Sequence, residues 1–241
     1  MGAIKEVMLL AALAPVLLVQ GKRVRRDTPR LPEADGPRQG GSGAAGWLIV
    51  GDSAAAGVGV DLQQQALSGA LAAAWGDGVP RWQLEAETGL TLGQLVERLQ
   101  RLPPLDYPLA VVSIGVNDVT ARTDNGAWQA GLCALQQVLV ERHGVDHVVI
   151  TAVPPMQLFS ALPQPLAWYL GRRAGQLNRL TAHWCRQRQG VELFQPQLPA
   201  ERAMLAADGF HPGAAGYALW AQALAPRLRA LWTQYRPVSG H

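Results

Sequence analysis

Hydrophobic and polar positions after residue 46 alternate between short apolar runs and longer stretches with helical spacing. Short apolar runs bounded by turn residues predict buried strands, and apolar positions three and four apart predict amphipathic helices. The predicted strands are Trp47–Val50, Trp82–Glu87, Leu109–Ile114, His147–Val153 and Val191–Phe194. The predicted helices are Leu62–Trp75, Leu92–Leu102, Ala127–His143, one within Pro165–Gln189, and Ala214–Trp232. Five strands alternating with helices indicate an α/β fold with a doubly wound sheet, in which ligands bind outside the carboxyl ends of the strands.

The first part of the chain has a different pattern. An uncharged apolar run, Val7–Val19, is followed by a basic cluster from Lys22 to Arg26. As a helix this run reaches only about 20 Å, against roughly 30 Å of hydrocarbon core, so a span needs its flanking residues as well. A signal peptide carries its charge before the apolar run and a small-residue cleavage site after it. The pattern therefore favours an uncleaved membrane anchor over residues 1–26, with a cleaved signal as the alternative.

Residues 27–45 are rich in Pro and Gly and predict a linker without packed structure. A globular domain is predicted over residues 46–235, followed by a short tail over 236–241. If the anchor spans, the positive-inside tendency places the domain on the cytoplasmic side, and a periplasmic or secreted location is the alternative.

The charge distribution argues against a nucleic-acid partner. The chain has a net charge of +3, all of which comes from residues 1–40. Residues 41–241 carry equal numbers of basic and acidic side chains, and a neutral body offers no patch for a phosphate backbone. Cys133 and Cys185 lie far apart in the sequence, so we expect two free thiols buried in helices rather than a disulfide framework or a metal site.

The first predicted strand ends abruptly in Gly51-Asp52-Ser53, with small residues behind the serine. One interpretation is a phosphate-binding loop, but no lysine follows Lys22, and the glycine spacing of a dinucleotide site is incomplete. The other interpretation is that Ser53 is a nucleophile. A hydroxyl then needs a neighbouring base and donors for an oxyanion.

His211 is the histidine whose surroundings fit a general base. It lies in Asp208-Gly209-Phe210-His211-Pro212, at a loop-to-helix junction. A carboxylate three residues before an imidazole can accept the Nδ1 proton and leave Nε2 free as the base. This spacing is common by chance, and the other four histidines are interpreted as solvated or structural.

Donors for an oxyanion are available after two further strands. Asn117 follows the most apolar strand in Ile114-Gly115-Val116-Asn117-Asp118, and Gly89 follows the second strand. The alternative for the Ile114–Asp118 stretch is an ordinary turn, since Gly, Asn and Asp favour turns. As donors, the Asn117 amide and the Gly89 and Ser53 backbone N–H groups would stabilise a developing negative charge, at about 3 kcal/mol each.

These four stretches together resemble the SGNH (GDSL-type) hydrolase family. Gly51-Asp52-Ser53, Gly89, Gly115-x-Asn117-Asp118 and Asp208-x-x-His211 match its four blocks in order. One departure is Ala54, where the family usually has leucine. The resemblance extends over about residues 46–235 and leaves the first forty residues unexplained.

The resemblance implies a three-layer α/β/α sandwich whose five-stranded parallel sheet has the flavodoxin-like order. It also implies Ser53 as nucleophile, His211 as base and then acid, and Asp208 as the orienting carboxylate. Ser53, Gly89 and Asn117 would form the oxyanion hole of an acyl transfer to water, with no metal and no organic cofactor. Asp52 and Asp118 are interpreted as structural.

Apolar residues after the fourth strand are candidates for an acyl pocket, namely Met156, Leu158, Phe159 and Trp168. The alternative is that they pack beneath a Pro-rich loop. A pocket of this kind predicts a small-molecule or lipid-like ester, or a thioester, with a hydrophobic acyl group. The competing function is a non-catalytic module of the same fold that binds an acylated ligand or a partner protein.

Overall fold

The computed structural model describes residues 3–196 and 202–234, and the predicted tail over 236–241 lies outside them. Its sheet has six strands: β1 Gln39–Gly40, β2 Ser42–Gly51, β3 Pro80–Ala86, β4 Leu109–Ser113, β5 His147–Thr151 and β6 Val191–Phe194. The strand order is β1-β3-β2-β4-β5-β6. Strands β2 to β6 are parallel, and the two-residue β1 pairs antiparallel with β3 at the edge.

The parallel strands follow the predicted flavodoxin-like order, so the fold class is confirmed with one extra edge strand. From the edge strand β1 the chain enters the parallel part of the sheet at β2, moves outward to β3, and then crosses back to β4 on the other side of β2. This reversal opens a crevice at the carboxyl ends of the central strands, where doubly wound proteins bind their ligands.

Helices cover both faces of the sheet. They are α1 Ala3–Asp27, α2 Ser53–Ala56, α3 Leu67–Trp75, α4 Leu92–Arg101, α5 Val116–Ala121, α6 Asn125–His143, α7 Leu166–Arg186 and α8 Ala214–Trp232. Helices α4, α6 and α7 pack on one face, and α3 and α8 pack on the other. Strand β4 is apolar at every position but its last because Ala110 and Val112 face the first core while Leu109 and Val111 face the second.

Two helical segments differ from the sequence-based prediction. Helix α3 begins at Leu67 rather than Leu62. The buried Gln63 side chain donates to the carbonyls of Ala34 and Ala56, at 3.1 and 2.9 Å, and this holds the preceding residues in a turn. The short helix α5 was not predicted, because six residues after a strand carry no periodic signal.

The prediction that residues 27–45 lack packed structure is wrong for much of the segment. Ala34 is buried, and the backbone of Asp35 bonds with that of Asp61 and Gln63. Strand β1 and the first residues of β2 extend the sheet. The composition suggested a linker, but the backbone groups of this segment form hydrogen bonds with β3 and with the loop before α3.

Helix α1 contains the apolar run predicted as an anchor. Within the described residues, no helix is long and apolar enough to cross a membrane. The prediction of a membrane-spanning anchor is therefore not supported. Leu17 and Val24 pack against the core, and the Gln20 side chain bonds the Gln164 carbonyl and the Leu166 N–H at the start of α7.

Candidate active site

Ser53 lies at the carboxyl end of the central strand, in the crevice that the topology predicts. It is the first residue of α2, and the Asp52 side chain caps this helix by accepting from the Ala54 N–H at 3.2 Å. Gly51 is required because a Cβ there would lie 2.0 Å from the Ser113 carbonyl oxygen of β4. The tight turn leaves Ser53 9% exposed, so its hydroxyl faces the crevice without being freely solvated.

The structure brings Ser53, His211 and Asp208 together in one hydrogen-bonded chain, called here the Ser–His–Asp group. Ser53 Oγ lies 2.9 Å from His211 Nε2, and His211 Nδ1 lies 2.6 Å from Asp208 Oδ2. With the proton on Nδ1, Nε2 accepts from the serine hydroxyl, which is the arrangement of a nucleophile with its base.

Asp208 is held in place by backbone bonds as well as by the imidazole. Its Oδ1 accepts from the N–H groups of Phe210 and His211, both at 3.0 Å. Burial acts to raise the pKa of Asp208, but the His211 side chain and these two N–H groups outweigh it and hold the pKa below its usual value. An ionised, fixed carboxylate selects the imidazole tautomer that leaves Nε2 free.

The segments that contain the two predicted oxyanion donors, Gly89 and Asn117, are joined by a hydrogen bond. Asn117 lies in the first turn of α5, and its Nδ2 donates to the Leu90 carbonyl at 3.0 Å. Leu90 directly follows Gly89, whose φ of +92° is a conformation that side chains rarely adopt. Since a side-chain amide has two N–H bonds, Asn117 keeps one for a second acceptor. This bond links the start of α5 to the loop that contains Gly89.

Asp52 and Asp118 make the hydrogen bonds expected of structural residues. Asp118 accepts from the Leu92 N–H at the start of α4 and from the Thr123 hydroxyl, both at 2.9 Å. Burial raises the pKa of Asp118 despite these bonds. Burial also raises the pKa of Asp52 to about 7, against the opposing effects of the Ala54 N–H and His211. Asp52 Oδ2 is buried with no hydrogen-bond partner in the part of the chain described.

A cavity of about 920 Å³ opens beside Ser53 and His211. Much of its wall is apolar and comes from strand ends and loops, with Ile114, Val153, Leu158, Phe159, Phe210 and Trp220 among the lining residues. Thr151, Asn178 and Gln195 add polar groups to the wall.

Only two of the four predicted pocket residues line this cavity. Leu158 and Phe159 do so. Met156 is 0% exposed and belongs to the core, because the 3₁₀ turn Met156–Leu158 directs its first and last side chains differently. Trp168 is not among the lining residues, since it lies in the first turn of α7, between core positions.

The sequence contained a signal for some of the lining residues that were missed. Ile114 and Val153 directly follow the carboxyl-end region of β4 and β5, where this fold binds its ligands. Phe210 is adjacent to His211 in sequence. Trp220, on α8, has no such signal, because its position depends on how α8 packs.

The expectation of no metal and no cofactor stays a prediction. Among the described residues, no three His, Cys, Asp or Glu side chains are grouped so that they could hold a metal ion. Both cysteines are free; Cys185 is buried as expected, but Cys133 is exposed, on α6.

Comparisons with known proteins agree with the fold and with the family that the sequence resembles. A model of the GDSL-like lipase/acylhydrolase family matches residues 49–219. The chain is 30% identical over 235 residues to the GDSL-like esterase Rv1075c of Mycobacterium tuberculosis, which covers 87% of this chain and 73% of the relative. The chain therefore belongs to the GDSL-like lipase/acylhydrolase family.

Solved structures share the architecture at low sequence identity. An extracellular lipase from Streptomyces rimosus is 17% identical with a TM-score of 0.54, over 78% of this chain and 99% of the lipase. A carbohydrate acetylesterase from Sinorhizobium meliloti is 20% identical with a TM-score of 0.53, over 78% of this chain and 100% of the acetylesterase. At this identity, the two structures show only that the fold is shared. Membership of the family identifies the chain as a carboxylic ester hydrolase.

Proposed function

We propose that this protein is a serine hydrolase that cleaves carboxylic esters of hydrophobic acyl groups through an acyl-enzyme on Ser53. The observation that carries the proposal is the Ser–His–Asp group, with its contacts of 2.9 and 2.6 Å. A binding module of this fold would have no need for a serine hydroxyl aligned with an imidazole and an ionised carboxylate.

In the first half of the reaction, Ser53 Oγ attacks the ester carbonyl carbon while its proton passes to His211 Nε2. The carbonyl oxygen gains a negative charge, which the N–H groups of Ser53, Gly89 and Asn117 stabilise. The tetrahedral intermediate then collapses, and the departing alcohol oxygen takes the proton from His211. Asp208 stabilises the imidazolium during this exchange.

In the second half, a water molecule attacks the acyl carbon and gives a proton to His211. A second tetrahedral intermediate breaks the bond to Ser53 Oγ, which recovers its proton. The products are a carboxylic acid and the free enzyme. The same steps would cleave a thioester, with a thiol as the leaving group.

The cavity supports a hydrophobic acyl group. An acetyl group would leave most of its roughly 920 Å³ unfilled, whereas a longer or bulkier acyl chain would bury more apolar surface against Leu158, Phe159 and Phe210. We therefore expect the specificity constant kcat/KM for p-nitrophenyl esters to rise from acetate to butyrate and beyond. A rate that falls steadily from acetate onward would contradict this part of the proposal.

The nucleophile is tested by comparing the full chain with Ser53→Ala on p-nitrophenyl butyrate. We expect the rate constant kcat to fall by about 10⁶-fold, because the reaction loses its covalent route. Ser42→Ala, at an exposed serine at the amino end of β2, is the matched control and keeps the original rate. A fluorophosphonate probe should label the parent chain on Ser53 and leave the Ser53→Ala variant unlabelled. Equal hydrolysis by the parent and Ser53→Ala would exclude the mechanism.

A further inference from the structure

The loop that carries Gly89 is held by a residue far away in the sequence. Glu33 Oε1 accepts hydrogen bonds from the Thr88 N–H at 2.7 Å and from the Thr88 hydroxyl at 2.8 Å. Thr88 directly precedes Gly89. Glu33 lies before residue 49, where the match to the family model begins, and within the segment whose composition suggested a linker.

Glu33 is itself fixed by an arginine that also binds the end of β3. Arg38 Nη1 lies 3.2 Å from Glu33 Oε2, and Arg38 Nη2 donates to the Ala86 carbonyl. Burial acts to raise the pKa of Glu33, but the bonds from Thr88 and Arg38 outweigh it and hold the pKa below its usual value. At neutral pH the carboxylate is therefore ionised and makes charge-assisted bonds, which are stronger than neutral ones.

Packing does little to fix the glycine itself. Among the described residues, apart from Gly89 and its two chain neighbours, no heavy atom lies within 4 Å of the place where a Cβ of Gly89 would be, and φ is +92°. A glycine in open space samples many conformations unless its neighbours are held. Both neighbours of Gly89 are held by hydrogen bonds. Glu33 accepts from Thr88 on one side, and Asn117 Nδ2 donates to the Leu90 carbonyl on the other.

We propose that Glu33 is a positioning residue that orients the Gly89 N–H toward the oxyanion. The inference rests on the function proposed above. The N–H of Gly89 belongs to the peptide group that joins it to Thr88. Glu33 holds Thr88 before this group and Asn117 holds the Leu90 carbonyl after it, so the two anchors together limit how the group can rotate. A donor aimed in advance stabilises the transition state without reorganising during the reaction.

The test compares Glu33→Ala and Glu33→Gln in the full chain. Glu33→Ala removes both acceptor oxygens, and we expect kcat on p-nitrophenyl butyrate to fall about tenfold with KM nearly unchanged, because a donor is displaced rather than lost. Glu33→Gln keeps one carbonyl oxygen for Thr88 and should recover part of the rate. The matched control is Glu97→Gln, at an exposed carboxylate paired with Arg101, which should change neither constant.

A second measurement does not depend on activity. Hydrogen–deuterium exchange of a peptide covering residues 86–91 should become faster in Glu33→Ala, with intermediate exchange in Glu33→Gln. Unchanged exchange there in Glu33→Ala would overturn the inference even if the parent chain hydrolyses esters well. An increase throughout the chain, with a lowered Tm and a parallel loss of kcat in both variants, would also overturn it, since that is loss of structure.

The two readouts separate this inference from the proposed function. If the parent chain does not hydrolyse esters, the proposed function fails, and exchange at residues 86–91 still decides whether Glu33 fixes the glycine loop. If the parent is active and exchange changes locally while kcat does not, then Glu33 holds the loop without aiding the reaction, and the positioning role is wrong.

Discussion

The two parts of the proposed catalytic machinery are built differently. On the nucleophile side, Ser53 bonds His211 and His211 bonds Asp208, and Asp208 and His211 come from a single short loop. On the proposed donor side, Gly89 lies in a loop and Asn117 in helix α5, and the Asn117 side chain bonds the Leu90 carbonyl, a group outside the proposed reaction. We therefore expect a single change on the nucleophile side to interrupt proton transfer, and changes on the donor side to give graded losses.

The largest effect that sharpens this comparison is expected for Asp208→Asn. Because Oδ1 accepts two backbone N–H bonds, the amide oxygen of the asparagine would take its place, and the NH₂ group would face His211. This arrangement favours the tautomer whose Nε2 is protonated, so Nε2 no longer serves as the base. We expect kcat to fall by about 10⁴-fold, as measured with p-nitrophenyl butyrate.

Asp146→Asn is the control for this experiment, because Asp146 is exposed and lies before β5, away from the carboxyl edge. A loss of less than about tenfold in Asp208→Asn would mean that the carboxylate does not orient the imidazole.

A smaller effect is expected for Asn117→Ala on the donor side. This change removes one oxyanion donor and also the bond to Leu90, so kcat should fall by about 10²- to 10³-fold with little change in KM. Thr120→Ala is the control, because its hydroxyl bonds the Asn117 carbonyl on the exposed side of α5. If Asn117→Ala raised KM and left kcat intact, the amide would bind substrate in the ground state instead.

The smallest effect concerns stability and involves Asp52, which directly precedes Ser53 and caps α2. Its pKa is about 7 in the folded chain and near the usual carboxyl value of 3.8 when unfolded. Between these values the folded state keeps a proton that the unfolded state releases, so the free energy of unfolding falls as pH rises. The slope approaches about 1.4 kcal/mol per pH unit and ends above pH 7.

Asp52→Asn should remove this slope while its side-chain oxygen still caps α2. Urea unfolding at pH 5, 6 and 7 would measure the difference, with Asp61→Asn, at an exposed position, as the control. If the parent and Asp52→Asn show the same slope, Asp52 has an ordinary pKa.

Sequence patterns predicted the fold because strands and helices leave local signals, and the resemblance of the four motifs to a known family implied that Ser53 meets His211. Strands β2 and β4 contain short apolar runs, β3 alternates apolar and polar residues, and Ser53, Asn117 and His211 each stand next to a strand end or a helix start. The carboxyl edge of a parallel sheet brings such positions together. The packing of residues 34–45 was missed because Pro and Gly also occur in well-packed segments, and composition does not reveal a buried residue such as Ala34.

The sequence predicted where residues lie along the elements better than it predicted which way their side chains face. Met156 and Leu158 are two residues apart and equally apolar, yet one is enclosed in the core and the other is 48% exposed. A turn of three residues is too short for a periodic pattern that would show which of its side chains face the core. Glu33 had no signal at all, because its partner, Thr88, is distant in the sequence.

The packed segment before β2 has a practical consequence for protein engineering. A version trimmed to begin at β2 would retain all three members of the Ser–His–Asp group and still lack the Glu33 carboxylate that binds Thr88. Such a trimmed enzyme should react with a serine-directed probe and nevertheless hydrolyse esters slowly. The low rate could then be attributed by mistake to a poorly chosen substrate rather than to the missing carboxylate.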